Sequence, residues 1–175
     1  MKRRGTIFQA LIFTLVLSSS FITGCQPLPL SSKEQAFEDV ISMPYQDLND
    51  MLKLKPTPGL DDYTFGNPIY LDLVNESQYP IEFPSDFGIS MYYYDEISEK
   101  WIEINNIVDY LPLGKKELLP TRKDSPGGSG ITVYPDIQDL SKPITIRVLM
   151  VGELADEESS NEVLVGAYID VTLVP

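Results

Sequence analysis

Histidine is absent from the 175 residues, cysteine and tryptophan occur once each, and 13 lysines and arginines face 26 aspartates and glutamates. Without histidine, Ser–His and Cys–His relays and imidazole ligation of a metal are excluded. A lone Cys25 can neither close a disulfide within the chain nor build a cysteine metal site. The shortage of positive charge, a formal net −13 at pH 7, repels a phosphate backbone and argues against nucleic acid as a partner. No apolar run approaches the roughly 20 residues that cross a bilayer as a helix. The longest, Ile7 to Leu17, is interrupted by Gln9 and Thr14.

What is there begins with that run. Lys2, Arg3 and Arg4 precede it, and Ser18, Ser19 and Ser20 follow and lead into Phe21-Ile22-Thr23-Gly24-Cys25. A positive start, a short apolar stretch and small residues before a cleavage point make a secretory signal. Residues 1–24 are therefore expected to be removed. With Cys25 at the junction, the segment resembles the lipobox of bacterial lipoproteins. In that family the cysteine is diacylated and the chain is cut before it, between the positions held here by Gly24 and Cys25. Ile22 takes the branched apolar place, and Thr23 and Gly24 take the small ones.

The resemblance implies a covalent diacylglycerol or acyl lipid on Cys25, a bilayer as partner, and a cell membrane or outer-membrane address facing periplasm or exterior. Two chains hold a protein on a membrane where one does not. Gln26 stands where the family's inner-membrane retention signal has an aspartate, so the outer membrane is favoured where the host has two. Acylation leaves no free thiol. Removal of residues 1–24 takes three of the 13 basic residues and none of the 26 acidic ones, and the net charge moves from −13 to about −16.

The mature chain divides into a tether over residues 25–66 and a domain over 67–175. The tether opens with a polar spacer, then a capping pattern at Ser31 and Ser32 with Glu34 and Gln35, and Phe37, Val40 and Ile41 at helical spacing. A second short helical pattern carries Leu48, Met51 and Leu52 on one side, before Pro56 and Pro58 stop it. This segment is expected to dock a partner, to cap the end of the sandwich as a short helix, or to stay a loosely ordered tether.

From Asn67 the apolar period becomes two. Strands are expected at 69–73, 79–83 (an edge or loop segment between Pro80 and Pro84), 89–94, 101–107, 117–119, 130–134, 144–152 and 163–174. Short strands without βαβ alternation predict an all-β antiparallel sandwich of 7–8 strands behind the short helical tether. Asn75-Glu76-Ser77, Tyr92 to Tyr94, Trp101 and Ile146-Arg147-Val148 together resemble immunoglobulin-like modules of bacterial lipoproteins, which implies that fold and no function.

Two clusters are candidates for binding. A hairpin closing around Ile97-Ser98 sets Met91 against Ile104 and Tyr93 against Ile102 on one face, and Tyr92 against Glu103 and Tyr94 against Trp101 on the other. The second face, if open, is an aromatic platform with a carboxylate, suited to an envelope protein or a glycan. The alternatives are cover by residues 33–54, or a one-residue slip that reverses the faces and buries Trp101. The acidic loop with Asp156, Glu157 and Glu158 is the candidate calcium site, and it would make the chain a calcium-dependent surface adhesion module. No other cofactor is expected.

Catalysis would have to rest on carboxylates alone, as in a hydrolase, and no spacing selects a pair. The functional expectation is a non-catalytic binding or assembly accessory of the cell envelope. An inhibitor of an envelope or secreted protease, using a loop such as 125–130, is the alternative.

Overall fold

The computed structural model describes residues 29–107, 114–122, 128–138, 141–155 and 163–175. Residues 31–175 form one compact unit. Among the described residues it holds helix α1 (Ser32–Glu38), a 3-10 turn (Tyr45–Asp47) and nine strands: β1 (Leu52–Pro56), β2 (Ile69–Asn75), β3 (Ile81–Phe83), β4 (Ile89–Asp95), β5 (Lys100–Ile104), β6 (Lys116–Leu118), β7 (Gly128–Val133), β8 (Ile144–Leu154) and β9 (Leu164–Leu173).

The strands make two antiparallel sheets. One has the order β1-β2-β7; the other runs β5-β4-β8-β3-β6, with β9 on β8. Alternation explains the layering. In β2, Ile69, Leu71 and Leu73 are wholly buried while Tyr70, Asp72 and Val74 are half-buried. On β8, Ile146, Val148 and Met150 face inward against them and are also wholly buried. Each such side chain contributes about 1.5–3 kcal/mol by leaving water. The two inner faces close one core, an all-β sandwich.

Asn75 is the buried polar exception at the end of β2. Its Nδ2 donates to the carbonyls of Tyr79 and Leu118, and its Oδ1 accepts from the backbone N–H and the hydroxyl of Ser77. Every polar valence of the amide is used, which is what makes full burial tolerable.

Several expectations need correction. The sandwich does not begin at 67: β1 lies within 25–66 and pairs with β2 from Leu52↔Asn75 to Pro56↔Leu71. Leu52 and Leu54 alternate with Lys53 and Lys55, a period-two pattern that the helical spacing of Leu48, Met51 and Leu52 masked. Only a 3-10 turn forms in that second helical pattern. Residues 128–130 are not a loop but the first half of β7, paired with Leu73, Asp72 and Val74. The protease-inhibitor reading thereby loses half of its loop, and 125–127 lie outside the described residues. β3 sits between β8 and β6 rather than at an edge.

The hairpin register agrees with expectation pair by pair: Met91↔Ile104, Tyr92↔Glu103, Tyr93↔Ile102 and Tyr94↔Trp101. Its turn is fixed by Asp95, whose carboxylate accepts from the N–H groups of Ile97 and Ser98 and from the Ser98 hydroxyl. Those bonds hold the carboxyl below its usual pKa.

Candidate binding face

The outer face of the larger sheet is built by register. Glu103, Tyr92, Arg147 and Asp170 stand in one row across β5, β4, β8 and β9. Trp101 and Tyr94 make a neighbouring pair, and Leu149 and Tyr168 another.

The face is covered. Residues 31–48 cross it as a strap that starts with a capping box: the Glu34 N–H donates to Ser31 Oγ at 3.2 Å, and the Ser31 N–H donates to Glu34 Oε2 at 3.0 Å. This fixes one turn of α1 and aims Phe37 at the sheet. The Phe37 ring is wholly buried. Its centroid lies 5.0 Å from Trp101, 5.6 Å from Tyr92 and 6.1 Å from Tyr168. The Trp101 indole N–H donates to the Lys33 carbonyl at 2.9 Å, and the Lys33 ammonium sits 5.0 Å above the same ring.

Trp101 is therefore not an open platform but a buried ring, 7% exposed. Tyr92 and Tyr94 are half-buried beside it, and Glu103 alone of the four candidates is exposed. The cause is the apolar side of α1, which removes more ring surface from water by packing here than it could alone.

At the far end of the strap, Met43 and Leu48 are buried over Gly166, where a Cβ would lie 2.7 Å from each. Asn49 ends the strap with φ 59°, in the left-handed region that asparagine tolerates better than most residues. Its N–H donates to the Gly166 carbonyl and its Oδ1 accepts the Tyr168 N–H, both at 2.9 Å.

Arg147 is the centre of the face. Its side chain is 5% exposed, and Nε and Nη2 make a fork onto Asp170 at 2.7 and 2.8 Å. The guanidinium carbon lies 4.1 Å from the Tyr168 centroid, 4.6 Å from Trp101 and 4.7 Å from Phe37. Burial works against the charge, but the hydrogen bonds and charge of Asp170 outweigh it and raise the pKa. Nη1 is buried and has no hydrogen-bond partner.

Beside Arg147, the Tyr45 hydroxyl donates to Glu34 Oε1 at 3.2 Å and shares a short hydrogen bond with the Tyr168 hydroxyl. Burial first, and then that bond, push the Tyr45 phenol far above its ordinary value.

Arg147, Tyr168 and Phe37 were not selected as site residues from sequence. The signal was available in β8 and β9: Leu149 and Tyr168 occupy outward positions, and a large apolar side chain there means that something covers the face.

A separate concavity of about 380 Å³ lies at the β3–β8 end, lined mainly by Phe83, Pro84, Val151, Gly152 and Leu164. Its Lys115 is already bonded to Glu82 at 2.7 Å. Gly24 and Cys25, and the calcium candidates Asp156, Glu157 and Glu158, lie outside the described residues. Among the described residues no group of three metal-ligating side chains comes together, and no helix is long and apolar enough to cross a membrane. No protein-family model, curated protein or solved structure matches the chain.

Proposed function

We propose that the chain is a lipid-anchored cell-envelope protein, cut before Cys25, whose sandwich is a non-catalytic binding or assembly module. The observation that carries this reading is the coincidence of Lys2-Arg3-Arg4, a short apolar run and Ile22-Thr23-Gly24 before the only cysteine. The absence of histidine from the sequence and the use of the one thiol for lipid remove the Ser–His and Cys–His relays, which supports binding over catalysis. The strand orders β1-β2-β7 and β5-β4-β8, with β9 beside β8, support an immunoglobulin-like reading of the sandwich. The partner class expected of such an anchored module is another envelope protein or a glycan.

Metabolic labelling with palmitate tests the anchor. The wild-type chain takes up label and fractionates with membrane, and Cys25→Ser loses both. Label retained by Cys25→Ser, or absent from the wild type, overturns the reading.

A further inference from the structure

The socket around Phe37 belongs to the sheet. Trp101, Tyr92, Arg147 and Tyr168 stand on β5, β4, β8 and β9, four strands hydrogen-bonded side by side. Their backbone positions are set by the strand ladders. The strap, by contrast, adds no strand from α1 and meets the sheet's backbone at one bridge, Leu48 to Gly166. The helix has seven residues, too few to persist without packing.

The strap also fits the socket incompletely. Phe37 fills the space between the rings, but Arg147 Nη1, on a side chain 5% exposed, keeps a buried N–H without an acceptor. The strap's Glu34 accepts from the Ser31 N–H and the Tyr45 hydroxyl and makes no hydrogen bond to Nη1. A buried donor left unpaired is a standing cost, and a guest that brings an acceptor to it gains what the strap forgoes.

We propose that residues 31–48 are a displaceable strap occupying, in cis, a peptide-binding face. The partner taken there in trans is a short helical segment of another envelope protein, with an aromatic anchor and a carboxylate on the neighbouring turn. The strap itself displays most of that chemistry: Glu34 and Phe37 are three residues apart on α1, on one side of a helix. In the guest the carboxylate reaches Arg147 Nη1, and the aromatic ring takes the place of Phe37. The inference rests on the binding-module reading for the source of its partner, and palmitate labelling tests that reading separately.

Trp101 is the sole tryptophan, so indole fluorescence reports this socket alone. Residues 26–175 suit the experiment, since they include the whole compact unit 31–175.

In Phe37→Ala, a synthetic 31–48 peptide shifts Trp101 emission saturably. It binds wild type about tenfold or more weakly, because the tethered strap competes at high effective concentration. A peptide series that places a glutamate one turn from the phenylalanine binds more tightly than its glutamine twin, and Arg147→Lys narrows that gap. No saturable shift in a Phe37→Ala protein that melts cooperatively overturns the proposal, as does equal binding by the two twins.

Hydrogen exchange on the wild type needs no substitution. The Gln35 amide, bonded to the Ser31 carbonyl, exchanges through strap opening, about 100-fold or more faster than Val148 after correction for intrinsic rates. Equal protection overturns the proposal. A stable wild-type dimer by light scattering also overturns it, by naming a second copy of this chain as the occupant.

Discussion

Adjacent residues of β8 look opposite ways, and the two faces they enter are closed by different means. Ile146, Val148 and Met150 are wholly buried against a second sheet, while Arg147 and Leu149, both 4% exposed, are buried under a strap. By exposure alone the two faces are alike. The inner one is shut by strands whose hydrogen bonds run the length of β1, β2 and β7. The outer one is shut by a seven-residue helix, a 3-10 turn and an asparagine anchored to β9 by two hydrogen bonds. Removing a side chain from the first must disturb the whole fold, whereas removing one from the second has a local escape.

The largest test of that difference compares Ile146→Ala with Phe37→Ala, both sites being wholly buried. Ile146→Ala should cost about 3 kcal/mol, with one cooperative transition in urea and an unchanged slope. Phe→Ala in a rigid core costs about 3–5 kcal/mol, but here the loss cannot exceed the free energy that holds the strap down. Global unfolding of Phe37→Ala should therefore fall by only about 1–2 kcal/mol, with Trp101 emission shifting toward that of an exposed indole before any denaturant is added. Equal global losses would make the strap as integral as the inner sheet.

The same contrast explains what the sequence disclosed. The hairpin could be read pair by pair because its pattern is local: two strands, one turn, and apolar residues that must share a face. β8 and β9 were legible for the same reason. β1 was missed because Leu48, Met51 and Leu52 fit a helix as well as Leu52 and Leu54 fit a strand, and only the β2 ladder decides between them. β7 was read short because glycines at 128 and 130 resemble a loop, although glycine in a strand also permits close approach: a Cβ at 128 would come within 3.2 Å of the Leu73 carbonyl. The aromatic residues of the hairpin were identified, and so was the possibility of cover. Whether the rings met water or Phe37 depends on contacts between residues far apart in sequence, Phe37 with Tyr92 and Trp101, which periodicity does not contain.

A smaller effect should come from the ion pair. Asp170→Asn leaves the Arg147 cation buried with its fork lost. Removing one partner of a fully buried pair costs about 3–5 kcal/mol, and the Asp170 side chain is 36% exposed, so about 2 kcal/mol is expected. Arg147→Met should cost less, because methionine fills the space between Trp101 and Tyr168 and leaves only a carboxylate that water can reach. Urea midpoints for the two variants decide it. If Arg147→Met is the worse of the two, the charge itself holds the strap, and the apolar account of this face fails.

The smallest effect is alkaline loosening. Tyr45 has its phenol pKa raised in the folded state, by burial and then by its bond to Tyr168. Between the ordinary value of 10.0 and the folded value, the unfolded chain releases a proton that the folded one keeps. Stability from this group is therefore complete below about pH 10 and declines as pH rises above it. Tyr63, whose buried hydroxyl lacks a partner, is raised in the same direction by burial and then by Asp61, but it packs against the core between the sheets. Tyr45→Phe keeps the ring and removes the titration, so it should abolish the change in Trp101 emission above pH 10. Tyr63→Phe should leave that change in place while lowering the pH dependence of global unfolding. Two unchanged Trp101 profiles would mean that the strap stays down until the sandwich itself unfolds, and that the two faces of β8 open as one.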